Sequence, residues 1–192
     1  FALTASTSRS MRFTNGPHYS KKRRRRVSGR DSTGDAAGPA LWRFSLGLYA
    51  QPGVADACLD LQDRHGKDVN LLLYALWHGL SGRGRLMEAG LAAADAAIAV
   101  LRRETVEPLR ALRRATKGKD GADALYQALK EAELAAERLA QGQLAALAGP
   151  VTVTEPAARR EDAGANLALY LGPHVAEAAA LRRAIDRAAA PG

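Results

Sequence analysis

Between successive Gly and Pro stops, this chain repeats apolar side chains every three or four positions. That spacing lays them along one side of a helix, whereas a half-buried strand would alternate every second residue. Val54, Cys58 and Leu61 show it in its simplest form, at i, i+4 and i+7. The apolar residues are mainly Ala and Leu, which lose little on entering a helix. β-Branched and aromatic residues, the strand formers, are few. The expectation is an all-α, single-domain helical bundle of about six to eight helices, preceded by a disordered basic N-terminal tail.

The tail is predicted over residues 1–38 and the helical domain over residues 39–192. A chain of 192 residues has enough length for one domain with a real core. Residues 1–38 are rich in Ser, Thr, Gly and Arg and lack either period. They hold nine basic and two acidic residues, against 19 basic and 18 acidic residues in the remainder. The overall charge of +8 therefore belongs almost wholly to the tail. Lys21, Lys22, Arg23, Arg24, Arg25 and Arg26 form a run that repels itself and can adhere to any polyanion. A near-neutral domain argues against nucleic acid as the partner of the folded part. The chain begins at Phe1, and its first methionine is Met11. A misplaced start or a non-native leader would look the same.

The first helix is expected near Pro39, with Leu41, Trp42, Ser45, Leu48 and Tyr49 in register. A second spans 54–65 and stops at Gly66, a residue suited to the left-handed position past a helix end. Asp68 is the expected N-cap of a third, 69–78, which is apolar nearly all round apart from Asn70 and His78. A helix of that type belongs at the centre of a bundle. After a glycine-rich loop, helices follow at 86–104, from Pro108 to about 117, and at 122–147. The last of these has Leu125, Leu129, Ala132, Ala136, Leu139 and Leu147 as its inner stripe. Residues 151–154 (Val-Thr-Val-Thr) are read as extended linker. Two further helices are expected, one from Pro156 to about 171 and a last one using Val175, Ala178, Leu181 and Ile185.

Three motifs in this chain are distinctive: W-R-F-S-L-G-L-Y-A-Q-P-G-V from Trp42, C-L-D-L-Q from Cys58, and G-K-D-V-N-L-L-L from Gly66. With V-E-P-L-R-A-L-R-R from Val106 and N-L-A-L-Y-L from Asn166, the stretch 41–171 resembles a family of small conserved proteobacterial proteins of unknown function. The resemblance implies a bacterial cytoplasmic protein and carries over no functional residue.

The candidate sites rest on residue type and spacing. Asp56, Asp60 and Asp63 share one helix face, and several carboxylate oxygens in one place suit Mg²⁺ with a diphosphate ligand. A solvated face opposite the apolar one is the alternative. Asp68 and Asn70 flank the start of the most buried helix, as caps or as ligand contacts. Arg110, Arg113 and Arg114, with Lys117, form a basic stripe able to meet an anion or to pair with Glu104 and Glu107. The loop 81–85 (Ser-Gly-Arg-Gly-Arg) has glycines for close phosphate approach but lacks the surrounding strand and lysine of a P-loop. Cys58 is the sole cysteine, which excludes an internal disulfide. No histidine has ligand spacing with another. No cofactor is evident, with Mg²⁺ the one conceivable metal.

No stretch reaches the roughly 20 apolar residues of a membrane span. These features favour a non-catalytic interaction or scaffold protein, homo-oligomeric or bound to a protein partner, over an enzyme. The Mg²⁺-dependent enzyme or diphosphate binder stands as the alternative, with polyanion binding through the tail as a third.

Overall fold

The computed structural model describes residues 32–187; the basic run 21–26 and the rest of 1–31 lie outside the described residues. The helices are α1 Ser32–Tyr49, α2 Val54–His65, α3 Val69–Leu80, α4 Glu88–Leu101, α5 Glu107–Thr116, α6 Asp123–Ala146, α7 Pro156–Leu171 and α8 Ala179–Arg187. A π-helical turn, Arg102–Val106, joins α4 to α5, and a 3₁₀ stretch, Gly172–Ala178, leads into α8. No strand occurs among the described residues, so the protein is all-α.

α3 is the central element because its sequence leaves no polar side to put in water. Every residue from 69 to 79 is buried. One side carries Val69, Leu72, Leu73 and Leu76 into a core with α2, α7, α8 and the end of α1. The other side carries Leu71, Tyr74 and Trp77 into a second core with α1, α4 and α6. Val54, Cys58 and Leu61 are each fully enclosed, as their spacing requires. Each such side chain contributes about 1.5–3 kcal/mol on leaving water.

Two polar devices join these layers. Gln141 of α6 donates from Nε2 to Asn70 Oδ1 at 3.2 Å, and its Oε1 lies 2.9 Å from Ser45 Oγ of α1. This relay satisfies buried amides that would otherwise cost about 1–3 kcal/mol each. Asn70 is thus a locking residue between α3 and α6. Asn166 of α7 donates to the carbonyls of Ala75 and Gly84 and accepts from the Leu86 amide at 2.7 Å. It pins the loop after α3.

The structure corrects three details of the sequence reading. α1 begins at Ser32 rather than near Pro39, because Ala37 and Ala40 pack on the second core and Gly38 lies against Gly142. α4 ends at Leu101, and the chain stays helical by widening into the π turn. The segment 151–154 is a linker without secondary structure, as read from the sequence, and the amides of Thr152 and Val153 both donate to the Gly82 carbonyl at 2.8 Å.

The third correction concerns α6. Leu125, Leu139 and Leu147 are exposed, and the buried face instead holds Glu133, Ala136, Glu137, Ala140, Gln141 and Leu144. Two carboxylates inside the fold outweigh three outward leucines because arginines of α5 reach them. α5 itself buries no residue completely, and these ion pairs attach it.

A polar cleft between α2, α4, α5 and α7

The turn from α2 to α3 builds the floor of a cleft. Gly66 ends α2 at φ 61°, and Asp68 starts α3 by accepting from the Asn70 and Leu71 amides at 2.7 and 3.1 Å. Lys67 lies between them. Its Nζ donates to the Tyr170 carbonyl at 3.1 Å and stands 5.3 Å from the centre of the Tyr170 ring. The Tyr170 hydroxyl donates in turn to the Asp68 carbonyl at 2.9 Å. Burial raises the Tyr170 phenol above its ordinary value, so the group remains a proton donor. Asp68→Ala is expected to lower stability by about 1–2 kcal/mol through loss of the cap; urea unfolding at pH 7 measures it.

The π turn supplies one wall. The Glu107 amide bonds to the Arg102 carbonyl, five residues back, just ahead of Pro108, which has no amide hydrogen to donate. Arg102 Nη1 lies 2.7 Å from Asp95 Oδ1 and 3.4 Å from Asp68 Oδ2. Burial alone would lower this guanidinium's pKa, and the two carboxylates outweigh burial.

α5 continues that wall. Arg110 donates from Nε to Glu133 and from Nη2 to Glu137, each at 3.0 Å, and Arg113 also binds Glu133. Both glutamates are fully buried. Burial would raise Glu133, but Arg113 and Arg110 hold it below the usual carboxylate range. For Glu137 burial wins and its pKa is raised. Arg114 binds Asp63 at 2.7 Å and depresses that carboxyl.

The cleft is open to solvent, and its volume is about 890 Å³, within the range of small-molecule sites. Leu71, Leu91 and Leu169 line it together with Glu88 and Glu107. Four cations and five carboxylates therefore meet over an apolar and aromatic floor.

The predicted site residues fall into three groups. Asp63, Asp68, Arg110 and Arg114 line the cleft. Arg113 and Asn70 stand behind it in buried networks. Asp56 and Asp60 do not join Asp63: Asp56 is exposed, and Asp60 binds Arg64 at 2.7 Å. The described residues hold no group of three or more His, Cys, Asp or Glu side chains placed for a metal. Arg110 and Arg113 pair with Glu133 and Glu137, where Glu104 and Glu107 had been expected. In the loop 81–85, Arg83 lies over the Trp77 ring, and Arg85 pairs at the surface with Glu161 and Asp162. His65 and His174, far apart in sequence, stack with ring centres 4.1 Å apart.

Sequence reasoning missed Lys67, Asp95, Arg102 and Tyr170 as cleft residues, and Glu133 and Glu137 as the support of Arg110 and Arg113. One signal was available: Glu133 and Glu137 at i, i+4 answer Arg110 and Arg113 at i, i+3 on the preceding helix.

Among the described residues no helix is long and apolar enough to cross a membrane. No curated protein and no solved structure matches the chain. A family model does match, over residues 40–144, which span α2 to α5, the C-terminal half of α1 and most of α6. With more than half of its length inside that match, the chain belongs to the family described as "Protein of unknown function (DUF2390)".

Proposed function

We propose that this protein is a non-catalytic binding protein whose cleft between α2, α4, α5 and α7 holds a small polar ligand. One observation carries the reading: Lys67, Arg102, Arg110, Arg114 and five carboxylates converge on one concavity of about 890 Å³. Charged groups placed together in a concave site fix a ligand's orientation, while the apolar floor supplies affinity. Burial also supports binding over reaction, since Cys58 is fully enclosed and its thiol is pushed up to about 12. The Mg²⁺–diphosphate alternative keeps only Asp63 of its three aspartates at this cleft.

A thermal-shift screen with metals, nucleotides, diphosphates and small charged metabolites tests the reading. A specific ligand at about 100 times its Kd adds about 2.7 kcal/mol of stability. The reading requires a hit whose effect Arg102→Met abolishes. A hit insensitive to Arg102→Met contradicts it.

A second reading, association between copies of this chain, has its own observation. α4 turns Ala89, Ala93, Ala96, Ala97 and Val100 outward, all exposed, beside Met87. That face carries no charge, and its small side chains suit close approach of an identical helix. Sedimentation equilibrium should show a dimer that Ala93→Glu dissociates; a monomer at every concentration removes this reading. Within the same proposal, the range is proteobacterial, the workplace is the bacterial cytoplasm, and residues 39–192 act as one domain.

A further inference from the structure

α6 inverts the usual arrangement of an amphipathic helix: Glu133 and Glu137 are buried, while Leu125 and Leu139 are 54% and 56% exposed. The two leucines belong to a longer row. Leu125, Ala128, Ala132, Ala135, Leu139 and Gly142 follow one another in alternating steps of three and four, each exposed or half-buried. A seven-residue period of this kind is the seam of a two-helix coiled coil. The charged side chains beside the row are Glu131 and Arg138, which share one edge because they stand seven residues apart. Both are exposed, and neither enters an ion pair among the described residues. The Arg138 guanidinium lies 5.9 Å from the centre of the Trp42 ring of α1.

The row is complementary to itself when a second α6 runs in the opposite direction. A twofold axis between residues 133 and 134 sets Ala132 opposite Ala135 of the second copy. In the same register Leu139 meets Ala128, and Leu125 meets Gly142. Each leucine thus faces a small residue, which is how facing helices interdigitate. Gly142 has room for it, since a methyl added there would find nothing within 4 Å. That one register also sets Glu131 beside Arg138 of the second copy, twice by symmetry. Flanking charges of this kind fix orientation and partner. A parallel pair would instead stack Leu139 on Leu139 and separate Glu131 from Arg138.

We propose that α6 is a dimerisation helix, and that its occupant is α6 of a second copy, packed antiparallel along this row. The interface is isologous, so its two halves close on each other and leave no repeating contact. The inference is independent of the ligand cleft and uses a different helix from the α4 association, whose uncharged face sets neither direction nor register.

Sedimentation equilibrium on the full chain tests it. The protein should be a dimer, and Ala135→Glu a monomer that keeps its helical circular dichroism. Glu131→Arg and Arg138→Glu should each weaken dimerisation about tenfold, because attraction becomes repulsion at two symmetric positions. The double variant Glu131→Arg, Arg138→Glu should return to near the original dissociation constant. Compensation of this kind requires the antiparallel register, and it reports on the interface even if Ala135→Glu were to misfold. Ala93→Glu on α4 should leave this dimer intact. A protein that stays monomeric overturns the inference, as does a dimer that survives Ala135→Glu. Charge reversals that fail to compensate overturn it as well. A dimer lost in Ala93→Glu but kept in Ala135→Glu overturns the α6 interface and leaves the α4 reading standing.

Discussion

Arg110→Met is expected to lower stability at pH 7 by about 3–5 kcal/mol, a large share of a typical domain's 5–15 kcal/mol. The substitution keeps much of the aliphatic stem and removes the guanidinium bound to Glu133 and Glu137. Glu133 retains Arg113, and Glu137 loses its Arg110 partner in a fully buried site. A buried carboxylate that loses a cation relaxes by taking up a proton. The pH dependence follows from the sign of each shift. Glu133 lies below its unfolded value, so its contribution is present above the ordinary carboxylate range, about 4.3, and is lost as pH falls through its folded pKa. Glu137 is raised, so its contribution is present at low pH and is lost as pH rises through its folded pKa. In Arg110→Met both carboxylates move upward, and the deficit should shrink on acidification from pH 7 to pH 5. Urea unfolding of both proteins at the two pH values measures this. A deficit independent of pH would mean that Arg110 acts by packing alone.

Gly79→Ala should cost about 3 kcal/mol, against the intrinsic preference of a helix for Ala over Gly by about 1 kcal/mol. A Cβ at residue 79 would stand 2.3 Å from the Ala163 nitrogen and 2.5 Å from its Cα. Both atoms are backbone of α7, so relief requires the α3–α7 crossing to open. That crossing aligns Asn166 with the loop after α3 and places Tyr170 beside Lys67, so the cleft should loosen as well. Gly47→Ala is the control, with nothing within 4 Å of the added methyl on α1. It should raise stability by about 0.5–1 kcal/mol. Thermal melts of the two variants should move in opposite directions; a shared direction would show that helix propensity rather than packing governs residue 79.

The fold was legible wherever one helix carries its own instructions. The spacing of Val54, Cys58 and Leu61 specifies a buried face without reference to any other element. The all-round apolar run of α3 makes it central, and Gly66 and Asp68 mark a stop and a start by backbone chemistry alone. The inner face of α6 was not legible in this way. Counting leucines selects the side of Leu125 and Leu139, because Glu133 and Glu137 would ordinarily face water. Their burial depends on Arg110 and Arg113, which belong to another helix.

The cleft was less legible for the same reason. Asp68 and Tyr170 meet across 102 positions of sequence and Asp68 and Arg102 across 34. Periodicity within one helix contains no information about such pairs. Of the acidic face on α2, only Asp63 reaches the cleft, since the axis of α2 directs Asp56 and Asp60 elsewhere. The π turn was likewise beyond reach: Pro108 signals a disturbance, and whether the helix kinks, ends or widens is decided by the packing of α5 on α6.

Nitrogen-15 chemical-shift mapping with a hit from the thermal-shift screen tests the ligand site most directly. The predicted result is a contiguous set of perturbed amides at Lys67, Asp68, Leu71, Asp95, Arg102 and Tyr170, drawn from four separate segments of the chain. Perturbations gathered instead around Asp56 and Asp60, or within the loop 81–85, would contradict it.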